Sequence, residues 1–300
     1  MQSISIVELL LVIYVVVDDW YQVEGQALLA GKPGRKPQFT DSEVITLMLA
    51  QDYIPYPGEN QFIGYIQANY LDLFPDLLTQ SQFNRRARNL RLLVEELRRY
   101  WLQELGLLTQ VDLLLDTKPV PVIGYKRSKQ RSDFAGSADY GHCASRNMKY
   151  YGYKLVSLCT LEGIPVVYEL VSANTDERLA AESVLFALRG CRIYADKGFI
   201  GEDWQESIFR HTRNRIYTTK RANQADQNPA SFDRWLNSIR ERIEGVFNEI
   251  QNTGRNIERL LAKTVVGLAT RVIAKMTSHL LKFILHKSYG IDVQTFTQSA

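Results

Sequence analysis

IYADKGFIG, residues 193–201, carries an apolar run into an aspartate and then turns. A strand that ends on a carboxylate holds that side chain rigidly where a ligand can approach. Asp196 is followed at once by Lys197 and Gly198. VDLLLDTK, residues 111–118, repeats the pattern, with Asp116 closing the apolar run and Lys118 two residues on. A single aspartate in such a place is usually a turn-former or a helix cap. Two on neighbouring strands point to a shared site, because ligands of open α/β sheets gather at the carboxyl ends of the strands.

Outward from these two stretches the pattern reads as a sheet. KYYGYKLVSLCT (149–160) and IPVVYELV (164–171) are strand-like and are joined by Leu161-Glu162-Gly163, a hairpin spacing. ANTDERLAAESVLFALRG follows as a helix that Asn174 can cap, with Glu177 three residues on, and that Gly190 can stop. CRIYAD (191–196) is the next strand, GEDWQESIFR a short helix, and NRIYTT a further strand. A long helix over 228–252 can start at Asn228-Pro229. Another helical stretch covers about 264–286. Three antiparallel strands followed by βαβ steps predict an α/β, ribonuclease-H-like mixed sheet with flanking helices. Tyr150, Tyr151 and Tyr153 are expected to pack rather than to stack on bases.

Residues 1–109 read differently, as a mostly helical region; 110–290 form a separate domain that carries the sheet, and 291–300 a tail. The break GKPGRKPQF (31–39) precedes a helix that Thr40 and Glu43 can open as a capping box. Phe83, Ala87, Leu90, Val94, Leu97 and Trp101 form one apolar stripe, with Arg85, Arg88 and Arg99 off it. ISIVELLLVIYVVV (4–17) is shorter than the roughly 20 residues a membrane span needs and carries Glu8. It predicts a buried helix, and no membrane association is expected.

Composition narrows the function classes. Net charge is +3, but residues 1–110 hold 9 basic and 13 acidic residues, against 27 and 20 in the remainder. The basic excess sits in YKRSKQRS (125–132) and RHTRNRIYTTKR (210–221). Such local clusters are the electrostatic footprint of a phosphate-rich partner. Three scattered cysteines make no disulfide framework and suit a reducing cytoplasm. No GxxxxGK phosphate loop and no GxSxG turn is present. The four histidines lack the spacing of a zinc site.

A third carboxylate follows from helix geometry. Phe232, Trp235, Leu236, Ile239, Ile243, Val246 and Ile250 are expected as the buried stripe of the 228–252 helix. Glu244 lies on one border of that stripe and Glu249 on the other, with Arg240 one turn before Glu244. Carboxylates on rigid elements suit Mg²⁺ or Mn²⁺, and two such ions can clamp both oxygens of a phosphodiester displacement.

LLLDTKPVPV, ADYGHCASRNMKYYGYKL, ANTDER, YADKGFIG and RERIEGVF, in this order, resemble the bacterial insertion-sequence DDE transposases, and most closely the nine-eighty-two type. The resemblance runs from about residue 34 to about residue 280. It implies a ribonuclease-H-like core in which Asp116, Asp196 and Glu244, 80 and 48 residues apart, bind two Mg²⁺ or Mn²⁺ ions. It implies Lys118, Lys126, Arg127, Lys197 and Arg240 at DNA phosphates, with terminal inverted repeats and target DNA as partners. A homodimer or higher multimer, associated with the nucleoid, is implied too. Relatives often carry tyrosine, lysine and histidine where this chain has Asn237, Gln251 and Val156. Two other readings share the core: a structure-selective DNA nuclease, and a DNA-binding remnant that does not cut.

Overall fold

The computed structural model describes residues 4–29, 37–54, 56, 58–127, 129–143, 146–220, 227–252 and 254–293. Most of the basic break at 31–39 and the end of the chain beyond 293 lie outside them. The chain forms two compact units, one of Met1–Trp101 with Ile250–Ala300, the other of Leu102–Glu249. Residues 250–290, expected with the catalytic domain, thus group with the N-terminal helices.

The first unit is helical. Helix α1 (Ile6–Trp20) runs on through a wider turn, Tyr21–Gly25, into α2 (Gln26–Leu28); α3 (Asp41–Ala50), α4 (Glu59–Asn69) and α5 (Gln80–Glu104) follow. Ser5 and Glu8 form a capping box at α1, and Thr40 and Glu43 form the expected one at α3. Each box satisfies backbone N–H groups that a helix start leaves without partners. Leu9, Leu10, Ile13, Val17 and Trp20 bury one face of α1, whereas Val7, Leu11 and Val15 stay exposed. The expected burial of this segment therefore holds for one face only. The stripe of α5 is buried at all six expected positions, Phe83 to Trp101. Among the described residues no helix is long and apolar enough to cross a membrane.

The second unit is built on a six-stranded mixed sheet. Its strands are β1 (Asp112–Ile123), β2 (Asp139–Cys143), β3 (Met148–Thr160), β4 (Pro165–Ser172), β5 (Arg192–Ala195) and β6 (Arg215–Thr218). Their order is β2-β3-β1-β5-β6, with β4 also paired to β3. β1 lies along one edge of β3, while β4 and β2 share the other edge end to end. β1, β3 and β4 are antiparallel, and β5 and β6 add in parallel, which is the ribonuclease-H-like arrangement. Helices α6 (Glu177–Phe186), α7 (Glu202–Thr212) and α8 (Ala230–Asn252) flank the sheet. The chain then enters α9 (Val265–Tyr289).

Two expectations change. β1 does not stop at Asp116 but continues to Ile123 against β3. Proline cannot donate to a ladder, so Pro119 and Pro121 fit only with their nitrogens on the edge away from β3, where β5 has already ended. β2 was not expected at all. Its sequence, DYGHC, has no apolar run, and it is recruited by pairing with the start of β3. Tyr150, Tyr151 and Tyr153 are buried, as expected of packing residues.

Candidate active site

The parallel ladder between β1 and β5 ends with Leu115 opposite Ala195. One residue further, Asp116 and Asp196 follow next in register, and side chains one step beyond a paired position share a face. Here the two strands part. β1 goes on with β3, while the chain after β5 turns through Lys197–Phe199. Each aspartate accepts the backbone N–H of the residue after it, Thr117 to Asp116 at 2.7 Å and Lys197 to Asp196 at 2.6 Å. These bonds fix both carboxylates at the mouth of the split.

Helix α8 covers this face. Trp235 meets Tyr194 edge to face at 5.0 Å, and Tyr194 stacks on Tyr217 of β6 at 5.6 Å. Tyr194 and Asp196 point the same way along the strand, so the next turn of α8 brings Arg240 to Asp196, Nη2 to Oδ1 at 3.3 Å. Arg240 is 17% exposed and Asp196 50%. Leu236, Ile243, Val246, Phe247 and Ile250 are buried, while Trp235 is exposed. The buried stripe is thus rotated from the expected one toward Arg240 and Phe247. An arginine can face the sheet because a carboxylate meets it there.

Asp116 is the strained charge of the group. Burial pushes its carboxyl up to about 7; the Thr117 amide and Arg240 act against that rise, and Asp196 and Glu177 add to it. Glu177, read from the sequence as a cap partner of Asn174, is therefore a member of the site. The cap of α6 is Asp176, and Asn174 instead donates to Asp139. Glu177 Oε1 lies 3.5 Å from Thr117 Oγ1. Its other oxygen packs on Gly198, where an added Cβ would stand 2.2 Å away. Gly198 is not in the left-handed region, so close approach rather than backbone freedom calls for glycine there. The signal was in the sequence, since ANTDER and YADKGFIG both belong to the family-like pattern, but their contact was not legible.

The remaining expected residues are spread. Lys118 is 7% exposed, on the α8 side of β1, with its ammonium 5.8 Å from the Phe247 ring centre. Lys197 is exposed beside Asp196. Lys126 and Arg127 are exposed in the loop after β1. Lys129 in that loop sits 5.3–5.8 Å from the ring centres of Tyr125, Tyr140 and Tyr151. Glu244 is exposed on α8, one turn beyond Arg240. Val156 is fully buried opposite Thr117.

The donors present at the split are carboxylate oxygens, the chemistry that suits Mg²⁺ or Mn²⁺. Two aspartates neighbouring in register, one of them desolvated, fit a divalent cation, because a cation there would offset the burial, and the smaller repulsion, that raise Asp116. Among the described residues, no three histidine, cysteine, aspartate or glutamate side chains stand close enough together to hold an ion. Asp116 and Asp196 are therefore neighbours by register, and together with Glu244 they do not stand as one three-carboxylate group.

Neither a curated protein nor a solved structure matches the chain. A family model, the transposase DDE domain, matches residues 108–281, from just before β1 well into α9. That span is more than half of the sequence and includes both aspartates at the split, and the chain accordingly belongs to the DDE transposases, a family whose substrate is DNA.

Proposed function

We propose that this transposase, of the nine-eighty-two insertion-sequence type, cuts the DNA at the ends of its element and joins the freed 3′ end to a target. The observation that carries this reading is the register neighbourhood of Asp116 and Asp196 at the point where β1 and β5 part. Asp116 and Asp196 would hold Mg²⁺ or Mn²⁺, with Glu244 as the third donor. Bound there, the metal would supply Lewis-acid polarisation of the phosphate and a lowered pKa for the attacking hydroxyl. Arg240 keeps Asp196 oriented from the α8 side. Lys197, exposed next to Asp196, attracts the scissile phosphate, and Lys126 and Arg127 hold the backbone further along the strand. Lys118, under α8, contributes charge to the site from below rather than a surface for DNA. Two protomers are expected to act together, since two element ends must be joined.

A second reading has one observation in its favour. Glu244 is exposed, and it does not join Asp116 and Asp196 in a three-carboxylate group among the described residues. A protein that binds the ends without cutting would have that arrangement. Incubating the protein with a duplex carrying the element's own end, in Mg²⁺ and in Mn²⁺, separates the two. The transposase reading expects nicking and joining that Asp116→Asn, Asp196→Asn and Glu244→Gln each abolish. Binding with no cleavage in either metal supports the second reading. Cleavage undiminished in Asp196→Asn removes the proposed site.

A further inference from the structure

Helix α6 begins on the face of the sheet opposite α8. Thr117 points to that face because its neighbour Asp116 points to the other. The first residue of α6, Glu177, reaches the sheet there, with Oε1 at 3.5 Å from Thr117 Oγ1. Its Oε2 occupies the space a side chain at Gly198 would need, 2.2 Å from an added Cβ. The next residue, Arg178, does the same to the end of the turn, with Nη1 3.0 Å from a Cβ added at Gly201. The two glycines of DKGFIG thus lie against the last two side chains of DER, Glu177 and Arg178. Gly201 has φ of 169°, an extended backbone open to any residue, and the atom a side chain there would meet is the flexible end of Arg178.

We propose that Glu177 is a positioning residue, a strut that sets the separation of Asp116 and Asp196 by bracing Thr117 with one carboxylate oxygen and the Gly198 turn with the other. This inference rests on the reading of the two aspartates as the working site. The strut explains why Asp196 keeps its place beside Asp116 although the β1–β5 ladder has ended one residue earlier. From the α8 side Arg240 holds only Asp196 by a direct contact. From the α6 side Glu177 touches the residue next to one aspartate and the turn that follows the other. Bracing needs the shape and acceptor oxygen of the side chain rather than its charge, and this separates the strut from a direct role in binding metal.

Hydrogen exchange on the metal-free full chain tests it. The amides of Thr117 and Lys197 are held by the two aspartates, and Phe199 donates to the Asp196 carbonyl at 3.0 Å. In Glu177→Ala we expect all three to exchange about tenfold faster or more, while Glu177→Gln stays within about threefold of the parent. Gly198→Ala would push the flexible carboxylate away and give the same acceleration as Glu177→Ala, and the double variant would be no faster than either. The pattern is non-additive because both changes remove one contact. Unchanged exchange at either Thr117 or the 197–199 turn in Glu177→Ala overturns the strut. So does independent addition of the two effects, or equal acceleration in Glu177→Gln. A cleavage assay run in parallel keeps the two questions apart. Undiminished cleavage by Asp196→Asn defeats the site reading, whereas the exchange pattern alone judges the strut.

Discussion

Asp116 shows most plainly what the fold does to a single residue. Its carboxyl is pushed up to about 7 by burial first, and the charges of Asp196 and Glu177 add to the rise. A carboxyl whose folded pKa lies above its unfolded value binds more protons in the folded state. The contribution of Asp116 to metal-free stability is then fully present below about pH 4 and is lost as pH rises toward about 7, where the buried charge must be carried. Asp116→Asn removes that charge, so it should raise the unfolding midpoint of the metal-free protein at about pH 8 and change it little near pH 4. Thermal melts at the two pH values check this, and a larger gain at the acid end would contradict it. The sequence disclosed both aspartates because each closes an apolar run. It did not disclose Glu177, because an acid three residues after Asn174 is the same local pattern as a capping box. Only the register of the sheet distinguishes the two roles.

Among the elements, α8 was legible in extent and misread in orientation. A start near Asn228-Pro229 agrees with the observed helix from Ala230, and Asn228 donates to Asp233 in its first turn at 2.8 Å. The sequence set Arg240 on the border of the stripe and tryptophan within it. The structure turns Arg240 to the sheet, where Asp196 neutralises it, and leaves Trp235 exposed with one ring edge against Tyr194. Phe247, left out of the expected stripe, is buried. Phe247→Ala should therefore destabilise by about 3–5 kcal/mol, the cost of a large cavity in a packed core. Trp235→Ala, at an exposed position, should cost clearly less, and denaturant melts of the two variants test the ranking. β2 escaped the sequence reading for a related reason. An edge strand with no apolar run is specified by its partner, and that partner lies in β3.

On the scale of the whole molecule, the first unit depends on a buried ion cluster that joins distant parts of the sequence. Asp52 accepts from the Arg255 backbone at 3.2 Å and from its guanidinium at 3.1 and 3.2 Å, and the Lys275 ammonium stands 3.5 Å away. All three side chains are buried. Burial by itself would raise the Asp52 carboxyl, but Arg255 and Lys275 outweigh it and hold it below the ordinary value. Asp52→Ala leaves two buried cations without their anion and should cost about 3–5 kcal/mol, measurable by chemical denaturation. Nothing local marks this contact, because its partners are 203 residues apart. The charge asymmetry, by contrast, was readable at once. Its exposed members Lys126 and Arg127 should contribute to DNA affinity through counterion release. Changing both to alanine should lower the salt dependence of binding by a slope of about 2, whatever the sequence of the duplex. The account as a whole stands on the two aspartates sharing a metal ion, and Mn²⁺ uptake by the whole protein, followed by electron paramagnetic resonance, tests that most directly. The expected result is saturable Mn²⁺ binding that Mg²⁺ competes away and that Asp116→Asn/Asp196→Asn abolishes. Equal uptake by the parent and the double variant would contradict it.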